Sequence, residues 1–185
     1  MATPTNRAAL LGGTADDIVD RAAELLARHG PTHASVQGVA DAAGISKTAL
    51  LRRFPAKAAL LAAATDQCLS AVQAIRSAVG CMPAGPDRDH QVISGLVLLA
   101  TSQPGQGLYS LLVRLAGPEE ADGEIREALF TAFGTNDRPE RDLRVLAALG
   151  ALAAASHIRP SHTGDDEMRH RLIALGCDTL GRALC

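Results

Sequence analysis

Between Ser35 and Pro55 the chain has room for two helices of about two turns each, and little more. Ser35 and Ser46 are each placed to cap a helix start, Gly44 supplies a left-handed turn between them, and Pro55 stops regular continuation. The inner stripe of the first short helix is Val36, Val39, Ala40 and Ala43. A longer helix precedes the pair. Thr14-Ala15-Asp16-Asp17 is a capping-box-like start, Ile18, Ala22, Leu25 and Leu26 follow at helical spacing, and Gly30-Pro31 ends the run near Arg28. Three helices thus occupy about forty residues, with a tight glycine turn between the last two, which is the arrangement of a helix-turn-helix.

The remaining chain continues in the same manner. A long helix runs from Ala56-Lys57 to about Val79, and Cys81 to Pro86, CMPAGP, breaks it. Further helices are expected near Asp89 to Ser102, Gly107 to Ala116, Glu119 to Phe133, Glu140 to His157 and Asp165 to Leu184, about nine in all. Aromatic residues are only 2% of the chain, Ala and Leu abound and β-branched residues rarely cluster, so propensity favours helix over sheet and the fold class is all-α. At 47% hydrophobic and 21% charged, the chain is too apolar for disorder and too charged for a membrane protein. His90 to Val113 lacks Asp, Glu, Lys and Arg and is long enough to span a bilayer, but Ser102 to Gly107, SQPGQG, interrupts it and divides it into two short buried helices. Met1 to Gly13 reads as a loose tail and not a secretory signal, so a cytoplasmic chain is expected. Residues 14–56 then form the helix-turn-helix unit, and 57–185 a larger helical unit.

Charge separates these units. Residues 1–61 hold seven cations and five anions, whereas 62–185 hold eleven and fifteen, within a chain of net charge −2. Gly44 to Thr65, GISKTALLRRFPAKAALLAAAT, has four cations and no carboxylate. A solvated helix face would show the same charge. Rotation by 100° per residue, however, puts Leu50 and Phe54 toward the neighbouring helices and Thr48 and Arg52 nearly opposite, with Ala49 and Leu51 beside them. Arg52 can pair bidentately with guanine, Thr48 can meet a thymine methyl or a phosphate, and Leu51 offers apolar contact alone. Lys47 and Lys57 stand at helix starts, where ammonium and helix dipole both favour phosphate. Arg53 adds charge, and Ser35, Gln37 and Ser46 can add neutral hydrogen bonds to a nucleic-acid backbone. A carboxylate among them would oppose duplex phosphates.

Ser35 to Leu61, SVQGVADAAGISKTALLRRFPAKAALL, resembles the DNA-binding segment of the TetR family of bacterial transcriptional regulators. Ala40, Ala43, Gly44, Ser46, Phe54, Lys57 and Leu60 fall on family positions at the family spacing, with Val39 and Ile45 as conservative variants. Leu51 stands where the pattern has a phosphate-binding tyrosine, Ala58 replaces a common acidic residue, and Gly38 weakens the second helix by about 1 kcal/mol relative to alanine. The resemblance implies a dimeric regulator, repressing from a palindromic operator and released by a small-molecule effector. It also implies that the last two helices dimerise. Leu146, Leu149 and Ala153 on one, and Leu172, Leu175 and Thr179 on the other, are the expected interface, against the alternative of an ordinary intramolecular core. The effector pocket should be largely apolar and lie among the middle helices, where Tyr109, Phe130 and Phe133 are the nearby aromatics. Tyr109 serves equally as a core residue with a satisfied hydroxyl. A helical interaction protein of this fold, without operator binding, is the alternative reading.

Other chemistries find little purchase. No G-x-S-x-G, H-E-x-x-H or Gly-rich phosphate loop occurs, so no catalytic residue is nominated and no enzyme is expected. His157 and His162 straddle Pro160 without a second pair, and neither a metal nor a cofactor is expected. Cys68, Cys81, Cys177 and Cys185 form no C-x-x-C pair and read as small thiols or, alternatively, a redox-sensing pair.

Overall fold

The structure, a computed structural model, describes residues 14–112, 120–135, 138–156 and 165–181. Among them are nine helices and no strand: α1 (Ala15–His33), α2 (Val36–Ala42), α3 (Lys47–Arg53), α4 (Lys57–Ala78), α5 (Pro86–Ser102), α6 (Pro104–Leu112), α7 (Glu120–Phe133), α8 (Pro139–Ser156) and α9 (Asp165–Thr179). The all-α expectation and the order of elements hold.

Local chemistry explains most boundaries. At the start of α1, Asp17 N donates to Thr14 Oγ1 at 3.2 Å while Thr14 N donates to Asp17 Oδ2 at 2.8 Å, a reciprocal cap. The Thr14 hydroxyl and then its backbone N–H stabilise the carboxylate, and hold Asp17 below its ordinary pKa. Gly30, at φ 70° and ψ 170°, breaks α1 before a last turn through Pro31 to His33. Arg88 closes the end of α7, donating to the carbonyls of Thr131 and Ala132 at 2.8 and 2.7 Å and to that of Met82 at 2.8 Å. Arg141 joins α8 to α5 through Asp89 at 2.7 Å and reaches the Phe133 carbonyl at 2.6 Å.

One boundary differs in an informative way. The expected loop Ser102 to Gly107 narrows to Gln103, because Pro104 begins α6 and its glycines lie inside the helix. Their reason is proximity. A Cβ on Gly105 would collide with the Asp20 carbonyl, and one on Gly107 with the backbone of Ala100, so α6 lies pressed between α1 and α5. Asp20, 9% exposed, uses its carboxylate to accept from Gln106 N at 2.9 Å, capping α6 from another helix.

One contiguous hydrophobic cluster runs from Ile18, Ala22 and Leu26 through Leu50, Leu60 and Val72 to Ile93, Leu129 and Leu149. Helix α1 contributes to it from both sides, packing on α2 and also on α4 and α6. The three-helix head is therefore built on the same core as the body. Helix α4 alone, among the described residues, is long and apolar enough by composition to cross a membrane, although little of its most apolar stretch is buried.

Candidate nucleic-acid interface

The head positions its outward side chains by burying their neighbours. Leu50 is completely buried and Phe54 packs partly buried against the core, so α3 has one rotation only. That rotation leaves Thr48, Ala49, Arg52 and Arg53 exposed and Leu51 half-buried. Gly44, at φ 67°, makes the turn that delivers α3, and Ile45 N closes it on the Ala40 carbonyl at 3.0 Å. No atom stands within 4 Å of where a Cβ on Gly44 would be, so the glycine is required by backbone conformation and not by crowding.

Both serines act as caps. Ser35 Oγ accepts from Gly38 N at 2.9 Å, and Ser46 Oγ accepts from Ala49 N at 3.1 Å. Each hydroxyl keeps its own proton to donate outward. Lys47 is exposed at the first position of α3, and among the described residues neither it nor Arg52 has an ion pair. Lys57 is half-buried and donates to the Thr32 carbonyl at 3.3 Å, which holds its ammonium between the start of α4 and the end of α1. Gln37 is exposed but engaged, donating to Asp41 Oδ1 at 2.7 Å. That pairing engages the exposed carboxylate that stands three residues before the basic stretch. Together these groups comprise two exposed cations without an ion pair among the described residues, a third steadied by a carbonyl, and two capping hydroxyls, groups of the kind that meet polyanionic backbone and base edges.

The body residues singled out from sequence are placed differently from one another. Phe133 is completely buried, Tyr109 is 4% exposed with its hydroxyl 3.4 Å from Thr65 Oγ1, and Phe130 is partly buried on the core. None of the three lines the groove of about 530 Å³ between α4 and α5. On α8 and α9, Leu149, Ala153 and Leu172 are buried within the protomer, Leu146 and Thr179 are half-buried, and Leu175 is 38% exposed. The outer side of α8 is formed by Leu143, 66% exposed, with Ala147 and Ala154. Sequence reasoning passed over this side because period 3.6 locates stripes but not which stripe the protomer consumes. Cys68 and Cys177 are buried and Cys81 is exposed. Residues 1–13, Cys185, His157 and His162 lie outside the described residues.

With this geometry in place, comparison with known proteins is specific for the head. Residues 18–64 match the family model of bacterial regulatory proteins of the tetR family. No protein of curated function matches the chain. A TetR-like transcriptional regulator from Rhodococcus sp. RHA1 shares the fold at 17% identity and a TM-score of 0.52, over 90% of this chain and 95% of that one. A second TetR transcriptional regulator from Rhodococcus sp. RHA1 aligns at 17% identity and a TM-score of 0.42, over 92% and 98% of the two chains.

Proposed function

We propose that this protein is a cytoplasmic, homodimeric regulator of transcription that reads a palindromic operator through α3 and represses until a small molecule releases it. The observation that carries the reading is the exposed Thr48–Arg52 side of a helix locked from behind by Leu50, inside a segment that matches the tetR family model. Lys47, Arg53, Lys57, Ser35 and Ser46 supply backbone contacts, Gln37 supplies one by way of its second amide proton, and Ala49 and Leu51 touch base edges or sugar. The head is residues 14–56, and the body 57–185 carries dimerisation and effector binding.

Two heads must be held about one helical turn of DNA apart to read both halves of a palindrome. The outer side of α8 carries Leu143, Ala147 and Ala154, with open space above Gly150 between them, and α9 exposes Leu175. A second copy laid across α8 and α9 would cover this side and form a four-helix interface. Effector binding then favours a dimer whose heads no longer match the half-site spacing.

Selection of duplexes from a random pool tests the reading. The expected product is an inverted repeat bound by two protomers. Failure to retain any duplex at low salt, with a stable dimer present, would instead favour a helical interaction protein that uses this fold without DNA.

A further inference from the structure

We infer that the end of the body remote from the head holds an anion site, a cleft where the start of α5, the start of α8 and the end of α9 meet, and that it takes a small phosphate monoester bearing hydroxyl groups. The inference rests on the lining of that cleft and stands apart from the reading of the head.

The cleft has a volume of about 330 Å³, at the small end of the roughly 300–1,000 Å³ of ordinary ligand sites. Arg138, Arg141 and Arg144 line it from successive turns at the start of α8, together with Asp89 of α5 and Glu140. Three guanidinium groups against two carboxylates leave the lining positive, in a chain whose own net charge is −2. Its inner pair is fixed: Asp89, 8% exposed, accepts from Arg141 Nη2 at 2.7 Å, and the same nitrogen reaches the Phe133 carbonyl. The outer two arginines are not. Arg138 and Arg144 are exposed, and neither has an ion pair among the described residues. Arg144 lies against the end of α9, where a Cβ on Gly181 would collide with its Nη1. A helix start favours anions, so arginines gathered there stand against the dipole until an anion joins them. Glu140 and Asp142 in the first turn of α8 offset part of that disadvantage, and the end of α9 favours Arg144, but Arg138 has neither partner nor dipole in its favour.

The lining also selects the chemistry of the ligand. A carboxylate offers two oxygens in one plane and suits a single guanidinium fork, whereas a phosphate presents three strong acceptor oxygens in different directions and can be shared by groups from successive turns. Asp89 and Glu140 accept hydrogen bonds and repel further acidic groups, so the rest of the molecule carries hydroxyls. Position limits what the site can influence. Residues 79–85 lead from the end of α4 to α5, which puts the cleft at the opposite end of α4 from Lys57, roughly 33 Å of helix away. An anion there ties α8 and α9 to α5 and leaves α3 as it is.

The test is calorimetric titration of the full-length protein with glycerol 3-phosphate, with glycerate and glycerol as carboxylate and neutral controls at constant ionic strength. One saturable site per protomer is expected for the phosphate ester, with glycerate at least tenfold weaker and glycerol not bound. Arg138→Gln and Arg144→Gln each remove an exposed cation that has no ion pair among the described residues, so each should keep the native circular dichroism melt. Each should also weaken the ester at least tenfold, the loss of one charge-assisted hydrogen bond. Saturating ester should raise the thermal midpoint of the native protein and not that of the double variant, and should leave operator affinity unchanged. Absence of saturable binding, or native-like binding by both variants, overturns the site. Glycerate held as tightly as the ester overturns the phosphoryl assignment, and a shift in operator affinity on saturation overturns the separation from the head. Binding of the ester by a chain that retains no duplex would uphold the cleft while the regulator reading falls.

Discussion

Arg52 and Lys57 are both cations of the carboxylate-free stretch, yet their surroundings assign them different work. Arg52 projects from the last turn of α3 with no ion pair among the described residues, so its fork is available to a base edge. The ammonium of Lys57 is steadied by the Thr32 carbonyl at 3.3 Å and acts as a fixed point charge. Arg52→Ala should therefore cost about 1–3 kcal/mol on the selected operator and relax preference at one base position. Lys57→Ala should weaken all duplexes alike and reduce the salt slope of binding by about 1. Titrations against matched and mutated duplexes across a salt series would separate the two; identical behaviour would refute the assignment. At this scale the sequence was readable, because a seven-residue helix with Leu50 and Phe54 as anchors leaves one rotation open. Gln37 was less readable, since its pairing with Asp41 depends on rotamers and not on spacing alone.

Helices expose a second kind of information, which is how closely they cross. Gly105 and Gly123 are both helical, but a Cβ at Gly105 would strike the Asp20 carbonyl, whereas one at Gly123 would meet only Arg126 at 3.6 Å. Gly105→Ala should destabilise the protein by about 1–3 kcal/mol or more through overpacking. Gly123→Ala should stabilise it by about 0.5–1 kcal/mol through helix propensity. Opposite shifts in thermal midpoint check the pair. The cap of α1 makes a pH prediction. The folded pKa of Asp17 lies below its unfolded value, so its contribution is complete above the ordinary carboxylate range and is lost as pH falls through the lower folded value. Asp17→Asn should consequently be less stable than the native chain near neutrality, and the difference should shrink on acidification through that range. Equal pH profiles would show that the cap contributes nothing to the folded state. Capping was legible because donor and acceptor are three residues apart; the glycines of α6 were read as breakers because nothing local reveals a neighbouring backbone.

In the whole molecule, the decisive surfaces are those that folding leaves over. Leu143 and Leu175 are exposed on α8 and α9, so a charge at either should leave the protomer intact while opposing a second copy. The double variant Leu143→Glu with Leu175→Glu should sediment as monomer and bind a two-half-site operator far more weakly than native protein, at an unchanged thermal midpoint for the separated protomer. A variant that stays dimeric would place the interface on another side. What the sequence alone determined is the helical class, the order of elements, the caps and the outward side of α3, because each is set by residues within about four positions of one another. Tertiary structure alone decided that Phe133 belongs to the core, that Leu149 and Leu172 are consumed inside the protomer while Leu143 is not, and that α4 and α5 leave a trough around Ser94. The physical reason is that burial is a property of pairs brought together from afar: Asp20 caps Gln106 across 86 positions, and no periodicity in either segment announces the other.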